Sequence, residues 1–290
     1  FPAYHLGKAI ADSSVGGLLL FVLCAVVPFV IVYVVLSKNF IHIATAKRGT
    51  VRIEYKEKQL KVSSGVKALT MKDLSRLGGN PMYILNACTG SILLLLAIGA
   101  AIWKYDDVAS IIEMGKGYMG DEVNEILWAL AASLFGACSI MNIVSAPSIS
   151  LEGKNLWVLK TLPIPSGKIL ISKVWAHVIA CVPAALLGTI VCLFILPFSL
   201  NGFLMTLILP LLMNVWQAFF GVIVNLFFPR FDWVSETACV KQGISVMIAM
   251  FGGMAIVAIP ILLYMFVIKG ALDLVIYVWI WAAVFAVLCI

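Results

Sequence analysis

Charge is scarce in this chain of 290 residues: Asp, Glu, Lys and Arg together make up 12% of it, and histidine occurs only at His5, His42 and His177. So little charge excludes the solvated surface that a soluble domain of this length carries. Signatures of chemistry are missing as well. There is no GxxxxGK[ST] loop to cradle nucleotide phosphates, no HExxH helix for zinc, no GxSxG nucleophile turn, and no aspartate pair inside an apolar run. Catalysis in the chain itself is not expected, and if ATP is used, another chain must bind it. The cysteines at 24, 88, 138, 181, 192, 239 and 289 form no CxxC pair and nearly all lie within apolar runs, so neither a disulfide framework nor a metal site is expected. The opening FPAYHLGKAIADSS has no initiator Met and no basic-then-apolar leader pattern, and reads as the continuation of a longer polypeptide.

What the chain does have is apolar sequence: 63% of it is hydrophobic, with a mean hydropathy of +1.08. A helix crossing a hydrocarbon core of about 30 Å needs roughly 20 mostly uncharged residues. Seven runs meet that requirement, at 16–36, 83–103, 123–146, 169–196, 203–228, 243–268 and 271–290. No alternating barrel pattern competes, and backbone in lipid must satisfy its own hydrogen bonds, so the expected class is an all-α integral membrane protein with seven transmembrane helices.

Basic residues near the membrane stay preferentially on the cytoplasmic side. With 37–82 placed inside, 16 of the 20 Lys and Arg fall on that side, leaving Lys8, Lys104, Lys116 and Lys269 outside. This split predicts a cytoplasmic C-terminus and an outer loop at 104–125 carrying Asp106, Asp107, Glu113, Asp121, Glu122 and Glu125. The first run is separated from the other six by the basic stretch 37–82, giving a 1 + 6 division. Within it, KRGTVRIEYKEKQLKV (47–62) has no helical stripe, whereas 70–77 does. Thr70 and Asp73 have capping-box spacing, Gly78-Gly79 supplies a C-cap, and Pro81 prevents continuation. An interfacial helix leading into the 83–103 span is expected there.

The most informative segment is SAPSISLEGKNLWVLKTLPIPSGKILISKVW, 145–175. Ser150 can cap a short helix, Glu152 suits its first turn, Lys160 suits its last, and Pro163 and Pro165 stop it. Leu151, Leu156, Trp157 and Leu159 give it more apolar surface than a solvated loop needs. A helix lying on the membrane with Trp157 as an interfacial anchor explains these residues as well as a docking element does. In FPRFDW, Arg230 and Asp232 fit either a local ion pair in an aromatic belt or a second contact with a partner.

Inside the spans, Asn214, Gln217, Gly221 and Asn225 share one helical face. They are candidates for a translocation path, with Asn142 and His177 as further candidates; interhelical hydrogen bonding explains the same pattern. No span holds an isolated deep acid, which weakens ion-driven transport.

Three phrases, LEGKNLWVLKTLPIPSGKILISK (151–173), KDLSRLGGNPMYILN (72–86) and NLFFPRFDWVSETACVKQ (225–242), resemble the permease subunits of ABC-2 type ABC transporters, the type V exporters. The resemblance covers about 76–290 as a six-helix unit. The first run looks like the last helix of a preceding half, as in fused bacterial permeases, which implies domains at 1–36, 37–82 and 83–290. It also implies a coupling helix at about 150–161 that docks on a separate ATP-binding subunit, two copies of which would hold ATP and Mg. Leu151, Glu152, Lys154, Leu156, Trp157 and Lys160 become the contact candidates, and the helix at 70–77 the connector. A second six-helix half and membrane lipids are the other implied partners, and nucleic acid is not one. The short connection at 269–270 departs from the family's usual small re-entrant helices, which would have to come from 255–275. A secondary transporter or channel, or a non-transporting membrane scaffold, are the alternatives on the residues alone.

Overall fold

The computed structural model describes residues 2–45, 63–120, 122–268 and 271–289. It divides into two units, 1–60 and 61–290. The basic stretch at 47–62, read above as lacking a helical stripe, lies outside the described residues.

In the first unit α1 (Pro2–Ala11) turns through Ser13, at φ +48°, into α2 (Val15–Thr45). Gly17 lets the two backbones meet: a side chain there would come within 3.0 Å of the His5 carbonyl and 3.1 Å of the Ala9 nitrogen. Within α2, 27 residues from Val15 to Ile41 are long and apolar enough to cross a membrane.

The second unit is all helix and turn in its described residues. Its elements are α3 (Gly65–Gly78), α4 (Pro81–Ala87), α5 (Thr89–Trp103), α6 (Tyr105–Met119), α7 (Glu122–Ile140), α8 (Leu156–Thr161), α9 (Ser166–Ile195), α10 (Leu200–Phe227), α11 (Glu236–Gln242), α12 (Ile244–Leu263) and α13 (Leu274–Leu288). Counting Val15–Ile41 of the first unit, the described residues hold five helical stretches long and apolar enough to cross a membrane, or six if the bent pair α4–α5 counts as one. The last run, expected as a seventh span, forms the 15-residue α13. At about 1.5 Å per residue that is roughly 22 Å, less than the hydrocarbon thickness.

Several boundaries move, each for a local reason. The interfacial helix begins at Gly65, because Ser64 rather than Thr70 accepts the first-turn N–H of Lys67. Thr70 is buried, and its hydroxyl donates to the Ser172 carbonyl of α9 at 3.2 Å. The expected C-cap forms, with Gly79 N–H reaching Ser75 O at 2.9 Å. The run 83–103 is not one rod: α4 and α5 meet at 78° across Cys88. The stretch 104–125, expected as an outer loop, is largely helical, as α6. The 123–146 span ends early, at Ile140. Of the region 255–275, from which any re-entrant helices would have to come, 255–263 continue α12 and Tyr264–Ile268 form a π-helical turn, which starts four residues beyond Pro260.

At the centre runs α10, which packs against α7, α9, α12 and α13. Small residues set the closest approaches. Gly202 of α10 lies against the ring of Trp128, Gly136 of α7 against Met213, and Gly90 of α5 against the Cys138 carbonyl, so a Cβ at any of them would collide. Without a hydrophobic drive between helices in lipid, such close backbone contacts supply much of the association. Trp128 is fully buried, and its indole N–H donates to Pro197 O at 2.9 Å. The packing brings the start of α4, the 141–165 segment, the start of α9, the end of α10 and α11 to one end of the bundle, the end richest in basic residues.

Candidate functional site

After Ile140 the chain leaves the helix and runs irregularly to Ser150, with residues 142–150 all buried. Non-helical backbone inside a membrane protein survives only where protein groups satisfy it. Here they do. Ile143 N–H donates to Ala87 O at 2.8 Å, the carbonyl freed by the α4–α5 bend. In return Asn142 Oδ1 accepts the N–H of Ser91, in the first turn of α5, at 2.9 Å. Asn142 therefore caps a helix from a distant segment. Tyr83 donates its hydroxyl to Val144 O at 2.9 Å, and Ser145 N–H donates to His177 Nδ1 at 3.2 Å.

Asn225, at the end of α10, closes this arrangement. Its Oδ1 accepts the N–H groups of Ile149 and Ser150 at 2.8 and 3.0 Å, and its Nδ2 donates to the hydroxyls of Ser150 and Ser245 at 2.7 and 2.9 Å. Ser150 does not cap a helix by its side chain. Its hydroxyl instead accepts Arg230 N–H at 2.9 Å, and its carbonyl accepts the Trp233 indole N–H at 2.7 Å. The Trp233 ring in turn explains Gly153, at φ +52°. A side chain there would be strained by the backbone and would come within 3.0 Å of the indole. So the segment expected as one short helix at 150–161 is a 3₁₀ turn, Ser150–Asn155, followed by α8.

Glu152 and Leu151 were expected on the contact surface. Both face inward: Leu151 is buried and the Glu152 side chain is 4% exposed. Lys173, seven residues into α9 and 3% exposed, reaches Glu152 at 2.9 Å and Ser148 O at 2.9 Å, with Asp73 at 3.4 Å. Lys72 of α3 binds both oxygens of Glu152, at 2.7 and 2.8 Å, and Arg76 approaches at 3.9 Å. Arg76 then continues to Glu236 of α11 at 3.3 Å. One carboxylate thus joins α3, the 3₁₀ turn and α9. Burial alone pushes the Glu152 carboxyl up, but Lys173 and Lys72 outweigh it and hold the group below the usual glutamate range. Asp73 goes the other way, since burial raises it more than Lys173 and Lys72 lower it. The signs follow. Glu152 stabilises the fold above its unfolded-state pKa, and that contribution is lost as pH falls through its depressed folded value. Asp73 opposes the fold as pH rises past its own unfolded value.

What the network leaves outside is the face of α8. Trp157 is 64% exposed, Val158, Lys154 and Lys160 are exposed, Leu156 is half-buried, and Leu159 anchors the helix inward. Beside it, Arg230 and Asp232 lie 3.8 Å apart with exposed side chains. An ion pair in that setting contributes little, and it is the Arg230 backbone that ties this stretch to Ser150.

The remaining candidates are interior. Gln217 donates to Ala249 O at 3.3 Å, while its Oε1, both amide atoms of Asn214 and His177 Nε2 have no partner among the described residues. Asn214 and Gln217 are one turn apart on α10, whereas Asn225 and Asn142 are already engaged with backbone N–H groups and serine hydroxyls. Sequence reasoning missed the Lys173 centre. Its signal was present: a lysine inside the apolar 169–196 run requires an acid, and the phrases at 72–86 and 151–173 carry Asp73 and Glu152.

A family model described as ABC-2 type transporter matches residues 64–256. Neither a curated protein nor a solved structure matches the chain.

Removing one partner of a buried ion pair costs about 3–5 kcal/mol, because the other charge is left uncompensated, whereas replacing both with apolar groups is far cheaper. Glu152→Leu leaves buried Lys173 with Asp73 at 3.4 Å, and Lys173→Met leaves Glu152 with Lys72 and Arg76 from one side, so each should lower the thermal midpoint in detergent. The double variant should recover a large part of the loss, which the thermal midpoints of all four proteins will show.

Proposed function

The chain belongs to the ABC-2 type transporter family and is a multi-pass membrane permease component of an ABC transporter; on that premise we propose that α8 receives the movement of a partner ATP-binding subunit and passes it through Glu152 to the membrane helices. The observation that carries this reading is the contrast within one short segment: Glu152 and Leu151 are locked inside, while Trp157, Val158, Lys154 and Lys160 two to eight residues later are left outside. An exposed tryptophan amid lysines, on an element braced from behind by three cations, suits a docking surface for a protein rather than a free loop. Arg230 and Asp232 border the same surface and form a second contact. ATP and Mg belong to the partner, of which two copies serve two permease halves; this chain binds no nucleotide and hydrolyses none.

In the mechanism, ATP closes the partner dimer and displaces α8. The 3₁₀ turn follows because Gly153 and Trp233 fix its path, and the Glu152–Lys173–Lys72 pairing carries α9 and α3 with it. Asn225 does the same for α10 through Ile149 and Ser150. The permease halves then exchange packing around a central path, moving a substrate outward across the cytoplasmic membrane. Asn214 and Gln217 are the path candidates, since their amides keep unspent hydrogen-bonding groups. The end of the bundle holding α8 is cytoplasmic on the strength of the basic-residue split, and so is the C-terminus.

Two experiments test this. Leu156→Ala with Trp157→Ala should weaken capture of the co-expressed ATP-binding subunit at least about thirtyfold, as expected for a buried aromatic anchor worth about 2 kcal/mol or more, while insertion is unchanged. Equal capture by the double variant would remove α8 from the interface. In a variant lacking native cysteines, a cysteine at Ser110 should react with an impermeant thiol reagent on intact cells and one at Ser166 should not. The reverse pattern would invert the sidedness.

A further inference from the structure

In the half of the bundle away from the ionic centre, α7, α10, α12, α13 and the π-helical turn line a half-open cavity of about 320 Å³ that the docking surface does not use. Its size falls within the range of small-molecule sites. No charged side chain lines it. An ion brought there would lose its hydration with nothing to replace it, so a ligand for this space is uncharged.

The few polar groups narrow the class. Ser133 spends its hydroxyl proton on Ala129 O at 2.8 Å, and Tyr277 spends its own on Pro260 O at 2.7 Å. The third hydroxyl, on Tyr264, has no hydrogen-bond partner among the described residues and remains available as a donor. Aromatic rings follow one another along the wall. Tyr264 and Tyr277 have centroids 5.1 Å apart, Tyr277 and Trp281 lie edge-to-face at 6.3 Å, and Trp281 and Phe285 are 6.4 Å apart. Such rings favour another ring, which can stack or meet them edge-on, over a flexible chain with no fixed geometry. Met213 and Met265 add deformable, polarisable surface that tolerates varied ring outlines. Tyr264 itself begins the π-helical turn Tyr264–Ile268, an irregularity that recurs where helices present side chains to ligands.

We propose that this cavity binds an uncharged molecule of two or three linked rings bearing one hydrogen-bond acceptor, which meets the Tyr264 hydroxyl. The site lies within one chain, and its occupation is independent of ATPase docking, so it stands or falls separately from the function proposed above.

Benzophenone serves as the probe, being neutral and two-ringed, with a carbonyl acceptor that inserts into nearby C–H bonds on illumination. The full chain in lipid nanodiscs is labelled and its peptides are analysed by mass spectrometry. Met213 lines the cavity and is 5% exposed, whereas Met254, on the outer face, is 49% exposed and reports partition into lipid. Labelling of Met213 should saturate and be displaced by benzanilide, while that of Met254 rises in proportion to probe. Val257→Phe, which fills the cavity from α12, should abolish the saturable part. Ser133→Leu fills it from α7 and should do the same, which covers the case in which one variant does not fold. Tyr264→Phe should raise the half-saturating concentration by roughly two- to tenfold, the effect of one hydrogen bond. Non-saturating Met213 labelling that parallels Met254, or saturable labelling that survives both filling variants, would overturn the site. Displacement by dodecanol as effective as that by benzanilide would overturn the ring class and assign the cavity to acyl chains. An unchanged Tyr264→Phe would overturn the hydrogen bond.

Discussion

Everything at the basic end of this permease depends on one carboxylate that cannot be left alone. Glu152 is removed from solvent and bound by Lys173 from α9 and Lys72 from α3, each within 3 Å. In so enclosed a place a lone charge of either sign would cost several kcal/mol, so the three elements are stable only together. In the coupling role proposed above, this cost is what would make the centre useful. A coupling element must transmit displacement without absorbing it, and charges that cannot separate cheaply are a stiffer link than apolar surfaces that can slide. The surface of α8 is free to meet a partner because its base, and not its exposed face, holds it in place.

A second constraint acts beside the first. The chain leaves the α-helix after Ile140 and runs through the bundle in turns as far as Ile149, and each buried amide that the turns leave unpaired must find a partner. The bend at Cys88 and the irregular segment solve each other's deficits, Ala87 O taking Ile143 N–H while Asn142 takes Ser91 N–H. Asn225 completes the set with four hydrogen bonds to three residues. Asn142 and Asn225, nearest the basic end, are therefore committed to backbone N–H groups and serine hydroxyls. The amides further in, Asn214 and Gln217, keep groups without a partner among the described residues, where a pathway would need them.

The apolar runs made the helical class legible, and the scarcity of catalytic signatures, with three phrases at 72–86, 151–173 and 225–242, pointed to the family that residues 64–256 match. What the runs could not convey was interruption. Periodicity sees 83–103 as a continuous apolar stretch, and nothing in it marks the 78° bend except the partners that Ala87 and Ser91 find in the distant residues Ile143 and Asn142. Likewise Glu152 looks like a first-turn acid by spacing, and Ser150 like a cap. Long-range partners, Lys173 and Lys72 for one and Asn225, Arg230 and Trp233 for the other, override those local preferences. Trp157 was readable because an exposed apolar side chain needs no partner within the chain to be recognised.

Whether the Glu152 centre transmits force is decided by counting substrate molecules moved per ATP hydrolysed, in the reconstituted complex of this permease with its ATP-binding partner, with Glu152→Gln measured beside the unaltered chain. Glutamine keeps the shape and removes the charge, so α8 still docks while its hold on α9 and α3 loosens. The account predicts that the folded variant binds the partner and hydrolyses ATP, but moves fewer molecules per ATP. An unchanged ratio in the folded variant would contradict it, and would mean that movement reaches the membrane helices by a route that does not pass through this carboxylate.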